Sequence, residues 1–301
     1  MWKRTGLLTV ILVIGLTSVT AAAENVVATK ASESNPAASI THVAWEVTTR
    51  QGSNVNAKPL GGTRFRVNPR GVFGAMGGID GTTLVYQEYM RDPEPASDLT
   101  FYDLATGTYS DPPSAVNTAN WEHSPDLNGD KLLFGRELSN EDQLIVLFDL
   151  VTEQSTTLAR VSRGNRFIHA GQVNDNFVTW SRVIWRGDRL RACDVFLYDI
   201  AAGTNTRVPN ANEKCQYAPS VDPSGTVYFA RSGFGCGVNA VIMKYPVGGT
   251  VQRVEPVTAG QDLLSTYAVD NGDGTVTVYL DPGRCNRSGD VPNQDIRAIV
   301  V

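Results

Sequence analysis

The chain has 301 residues, among them 28 Gly, 15 Pro, 4 Cys and 3 His, with 42% apolar and 19% charged residues and a net charge of −5. That apolar content excludes a disordered chain. An acidic chain with no basic run is also a poor nucleic-acid binder, because phosphate contacts need clustered Lys or Arg.

Residues 1–23 read as a secretory signal. Lys3 and Arg4 give the basic start, Leu7 to Val19 the apolar run, and Ala21-Ala22-Ala23 a small-residue cleavage site before Glu24. The run is shorter than the ~20 apolar residues of a membrane span. Its removal takes Lys3 and Arg4 with it, leaving 278 residues and a net charge of −7. The expected location is secreted or periplasmic, with no membrane insertion after cleavage. Residues 24–40, mostly small and polar, read as a flexible leader. Residues 41–301 then read as one domain.

From there the chain repeats at about 45 residues. Five segments carry an apolar strand, a Gly/Asp/Asn turn, a strongly apolar strand, a variable loop, a third apolar strand, a tight Gly turn and a short last strand. The second strand with its turn reads GIDGTTLVYQE from Gly78, DLNGDKLLFGR from Asp126, VNDNFVTWSR from Val173, VDPSGTVYFAR from Val221 and VDNGDGTVTVYLD from Val269. Asp126, Asn174, Asp222 and Asp270 lie 48 apart. Strands rich in Val, Ile, Phe, Tyr and Trp, joined by Asp-Gly, Asn-Gly and Gly-Gly turns, form hairpins. No sustained helical stripe occurs. The pattern predicts an all-β propeller of five four-stranded blades, with six as the alternative. The fifth copy lacks its last strand. An N-terminal strand would close the ring, and GGTRFRV from Gly61 is the better placed, with HVAWEVTT from His42 as an extra or a partner on the same blade.

SPDLNGDKLLFGR from Ser124, PSVDPSGTVYFAR from Pro219 and DVFLYDIAAGT from Asp194 resemble the repeat of TolB-type β-propellers. The resemblance covers roughly residues 72–301. It implies a secreted or periplasmic propeller of a kind that mostly binds other proteins, some members with similar blades being enzymes.

In such blades the loops between second and third strands share one face, and here they are long. Binding residues usually sit on variable loops held by a rigid scaffold. All four cysteines fall on this face. An even count in an exported chain reads as two disulfides. Adjacency favours Cys193–Cys215 and Cys236–Cys285. No C-x-x-C occurs, so neither a zinc site nor a redox motif is expected.

The strongest candidate on the face is SRVIWRGDRLRACD from Ser181, which sets Arg182, Arg186, Arg189 and Arg191 around Trp185. Arg and Trp dominate interface hot spots. The plainer alternative is a solvated loop whose Arg residues pair with Asp188 and Asp194. Trp121, Tyr89, Tyr217 and Phe234 offer stacking surfaces, whereas Trp45 and Trp180 read as core. His123 and His169 open two copies and would meet near the channel mouth, where Glu122 could join them in a metal or acid–base site. Satisfied or solvated imidazoles are the simpler reading.

Arg136, Arg182 and Arg231 end three second strands, close to Asp98, Asp142, Asp194 and Asp295. They form either an anion-gripping cluster or, more simply, cross-strand ion pairs. DLNGDKLLFGRE from Asp126 imitates a calcium loop through Asp126, Asn128, Asp130 and Glu137. Lys131 stands where the required Gly belongs, and the following strand cannot curl Glu137 back.

The expected function is ligand binding by a monomeric scaffold without cofactor, metal or catalytic residues, its partner an unidentified protein or glycan. The alternative is a carbohydrate-active hydrolase or lyase using Glu88, Glu122 and Asp281 at the channel mouth.

Overall fold

The computed structural model describes residues 24–29, 31–89, 97–162, 164–187, 189–210, 214–233, 240–254, 262–283 and 294–301. The expected signal, residues 1–23, lies outside them. Every regular element among them is a β-strand.

The strands form six four-stranded antiparallel sheets. The chain opens with β1 (Glu24–Val27). Blade 1 follows as β2 (Ser32–Ala38), β3 (His42–Thr49), β4 (Gly52–Pro59) and β5 (Phe65–Arg66). Blade 2 is β6 (Phe73–Asp80), β7 (Thr83–Tyr89), β8 (Ser97–Asp103) and β9 (Thr108–Ser110). Blade 3 is β10 (Trp121–Asn128), β11 (Lys131–Glu137), β12 (Gln143–Asp149) and β13 (Gln154–Val161). Blade 4 is β14 (Arg166–Val173), β15 (Phe177–Arg186), β16 (Arg189–Asp199) and β17 (Thr204–Arg207). Blade 5 is β18 (Cys215–Val221), β19 (Val227–Ser232), β20 (Val241–Tyr245) and β21 (Gln252–Arg253). Blade 6 has β22 (Asp262–Asp270), β23 (Val276–Gly283) and β24 (Ile296–Val300), and its outer strand is β1, paired to β24 through Glu24↔Ala298.

The expectation of five blades is therefore corrected to six. Residues 24–40 are not a leader, because they carry β1 and β2. GGTRFRV does not complete the last blade either. Its Phe65 and Arg66 pair with Ala57 and Asn56, as the outer strand of blade 1. The reason is packing. β2 reads SESNPAA, which has no apolar alternation, yet Ala37 and Ala38 are buried where the innermost strand is squeezed between neighbours.

The innermost strands β2, β6, β10, β14, β18 and β22 touch one another in a closed cycle. The second strands read as apolar runs because each blade is covered on both sides. Alternation sends Leu132 and Phe134 towards Val85 and Leu99 of blade 2, and Leu133 towards Ile168 and Trp180 of blade 4. Trp45 and Trp180 are both buried, as expected, and Trp180 stacks on Phe196 with centroids 4.0 Å apart.

Five of the innermost strands share a bulge in which two residues face one on the second strand. Three of these bulges are Asn35-Pro36, Ser124-Pro125 and Ala218-Pro219, and the residue before each Pro has a φ near +50°. Pro donates no hydrogen bond, so a bulge is where a strand accepts it.

Candidate functional site

The channel is crossed by polar side chains near its tight-turn end. Tyr267 of blade 6 donates its hydroxyl proton to Asp126 Oδ1 of blade 3 at 2.9 Å, and Ile79 N–H of blade 2 donates to the same hydroxyl at 3.3 Å. Asp126 Oδ2 accepts Val173 N–H of blade 4 at 2.7 Å. Gln172 Nε2 donates to Ala268 O of blade 6 at 2.7 Å, while its Oε1 accepts Val221 N–H of blade 5 at 3.1 Å. The Asp126–Tyr267, Ile79–Tyr267 and Gln172–Ala268 bonds join blades that are not neighbours and so span the axis, while those to Val173 and Val221 N–H tie adjacent blades. Complete burial pushes the Asp126 carboxyl up to about 7 and the Tyr267 hydroxyl well above its usual value.

At the opposite, long-loop end the innermost strands repeat one position. His123 faces Gly135 across the sheet, His169 faces Ser181, and Tyr217 faces Ala230. The next residue along each second strand is Arg136, Arg182 or Arg231, so the three blades are in phase. His123 packs so closely that a Cβ on Gly135 would lie 2.2 Å from its Cε1. Its Nδ1 is 3.1 Å from Ser124 Oγ. Burial, with the nearby His169 adding to it, lowers the His123 pKa to about 4. His169 keeps solvent-accessible surface, yet protein on most sides lowers its pKa too. Both imidazoles are therefore neutral at pH 7. Two residues earlier, on the same side of their strands, stand Trp121 and Phe167, each 39% exposed. The sequence singles out Trp121, His123, His169 and Tyr217 but not Phe167. Its signal was alignment: Phe167 precedes His169 as Trp121 precedes His123.

Two of the three strand-end arginines settle into ion pairs. Arg136 bonds Glu122 at 2.7 Å, donates to Val116 O and covers the Phe134 ring. Arg182 bonds Asp194 at 2.9 Å and lies over Phe196 at 5.1 Å. Arg207 shares Asp194, and Asp142 takes Arg160. Arg231 Nε is buried with no hydrogen-bond partner among the described residues. Arg182 is thus fixed to the blade wall rather than presented with the other candidate arginines.

The expected loop around Trp185 is a hairpin. β15 and β16 run for 10 and 11 residues, against 7 and 7 for the equivalent strands of blade 3. Trp185 near its tip is 36% exposed, and Arg186 and Arg191 are exposed. Arg189 lies in β16, with its side chain outside the described set. Phe234 is likewise outside it. Cys193 and Cys215 form a disulfide with Cα atoms 4.5 Å apart, joining β16 to β18. Cys236 and Cys285 fall outside the described residues.

The carboxylates expected at the channel mouth do not converge. Glu122 is fully buried and held by Thr118 as well as Arg136, with desolvation raising its pKa. Glu88 accepts from Tyr86 and Thr100. Asp281 is buried and accepts Asn35 N–H and Ser265 N–H. No group of three metal-ligating side chains forms among the described residues.

These features define a six-bladed β-propeller whose channel is crossed at one end. The fold is TolB-like. TolB from Acinetobacter baumannii aligns with a TM-score of 0.55 at 14% identity, over 86% of this chain and 63% of that one. The chain thus spans less than two thirds of TolB. A gluconolactonase from Xanthomonas campestris gives 0.56 at 11% identity over 92% of this chain and 89% of that one. An oligogalacturonate lyase in complex with manganese gives 0.50 at 13% identity over 87% and 86%. Likeness at such identities concerns the fold, on which unrelated sites are built. No protein-family model and no curated protein matches the sequence.

Proposed function

We propose that the protein is an exported, non-catalytic binding module that engages a protein or glycan through its long-loop face, with the β15–β16 hairpin as the primary contact. The observation that carries this reading is the extension of that hairpin, which presents Trp185, Arg186 and Arg191 to solvent on an acidic protein. An exposed Trp beside Arg is the usual composition of a binding hot spot. The cationic tip also attracts an acidic partner across the net negative charge of the rest. Export is supported by the Cys193–Cys215 disulfide, a bond that persists in oxidising compartments.

The hydrolase or lyase alternative has no observation in its favour. Its three carboxylates sit in blades 3, 2 and 6, and each is committed to hydrogen bonds within the fold.

The test is affinity for a ligand isolated on the intact protein, measured for Trp185→Ala and Arg186→Ala. Each is expected to lose well over ~1 kcal/mol. Full affinity in both folded variants would remove the hairpin from the site.

A further inference from the structure

We propose that the channel mouth at blades 3 and 4 binds the end of a neutral glycan, one sugar ring stacking on Trp121 and Phe167 and its hydroxyls bonding to His123 and His169. This second site lies on the same face as the hairpin but uses none of its residues.

The argument starts from what is exposed and on what it is mounted. Trp121 and Phe167 are each 39% exposed, whereas Trp45 is 1% and Trp180 5%. They stand on innermost strands, the most braced part of a propeller, not on mobile loops. Two aromatics at one register position of adjacent strands offer apolar faces to the C–H side of a pyranose.

One step further in, His123 presents Nε2, its Nδ1 being held by Ser124 Oγ, and neutral His169 brings one donor and one acceptor. That pairing matches a sugar hydroxyl, which donates and accepts at once. Desolvation of both rings keeps them in this form at neutral pH.

Charge selects among glycans. Trp121 pairs across the sheet with Glu137, whose carboxylate also accepts Gln143 Nε2 at 3.2 Å. Arg136 and Arg166, the cations beside Glu137 and Phe167, alternate to the other side of their strands, and Arg136 is held by Glu122. A carboxylate whose flanking arginines face away accepts hydroxyl protons and repels uronic acids. The Asp126–Tyr267 and Gln172 bonds cross the channel beyond, so the ring enters from the long-loop end and stops there.

The test is calorimetric titration of the intact protein with cellohexaose, chitohexaose and mannohexaose, and with oligogalacturonate as the anionic arm. At least one neutral oligomer is expected to bind. Trp121→Ala and Phe167→Ala should each weaken it about tenfold or more, with Trp185→Ala within about twofold of the parent. Both aromatics are exposed, so folding is expected to survive, and Trp121→Phe should retain most of the affinity. Binding of none of the neutral oligomers, binding of oligogalacturonate alone, or unchanged affinity in both alanine variants would overturn the proposal. Loss only in Trp185→Ala would overturn it too, placing the sugar on the hairpin.

Discussion

At the scale of single residues, Asp126 shows how burial converts a charge into a pH response. Its carboxyl has no cation partner among the described residues, and burial pushes its pKa up to about 7, far above the ordinary value of 3.8. A carboxyl whose folded pKa is raised favours the fold below its unfolded pKa, and that contribution is lost as pH rises through the folded value. The window therefore runs from about pH 4 to about pH 7. Asp126→Asn keeps an acceptor for Val173 N–H but cannot ionise. Its destabilisation, read from urea midpoints, is expected to be larger at pH 5 than at pH 8. Equal penalties at both would show that Asp126 does not titrate in this window. His123 works in the opposite direction. Its lowered pKa means that stability falls as pH drops from about 6.5 towards about 4. The two effects oppose each other in the parent protein, which is why the single variant is the informative measurement.

Gly78 belongs to the same spot. A Cβ there would lie 2.0 Å from Asp126 Oδ1 and 2.6 Å from Asp126 Cα. Part of that clash is with backbone, so no rotamer relieves it. Gly78→Ala is expected to destabilise the protein by about 1–3 kcal/mol, the usual range for overpacking. A thermal melt indistinguishable from the parent's would contradict the close approach of blades 2 and 3.

At the scale of elements, legibility followed side-chain size. The second strands announced themselves, because LLF, VTW, VYF and VYL are buried on both sides between blades. The innermost strand of blade 1 did not. SESNPAA looks like a solvated leader, and only the ring geometry makes Ala37 and Ala38 a core. The 48-residue spacing also misled. Asn174 and Asp222 cap hairpin turns, accepting Phe177 N–H and Ser224 N–H. Asp126 lies two residues inside its strand, opposite Leu133, and braces the channel instead. The site was half legible: the repeat pointed to Trp121, His123, His169 and Tyr217, but only pairing registers put Phe167 beside them. The disulfide was legible from loop adjacency. It closes a 22-residue separation between β16 and β18, so Cys193→Ala is expected to cost about 2–4 kcal/mol in denaturant titrations. A loss well under 1 kcal/mol would mean that β16 and β18 stay docked without it.

For the whole molecule, the critical junction is where the two ends of the described chain meet. A sheet ending in β24 alone would leave an unpaired edge, which is a template for association with other chains. β1 covers it, Val27 is 7% exposed, and Lys58 Nζ donates to Val26 O at 2.6 Å, tying the strand to blade 1 as well. Deleting residues 24–27 removes those bonds and the burial of Val27. The expected loss is at least about 2 kcal/mol from the apolar burial alone. In a chain of this size that lowers the melting temperature by roughly 4–8 °C. The uncovered edge should also make the variant self-associate as concentration rises, in size-exclusion or light-scattering measurements. A melt and a molecular mass both unchanged from the parent's would mean that the ring holds through the contacts of its innermost strands, β2 against β22, and that β1 is dispensable.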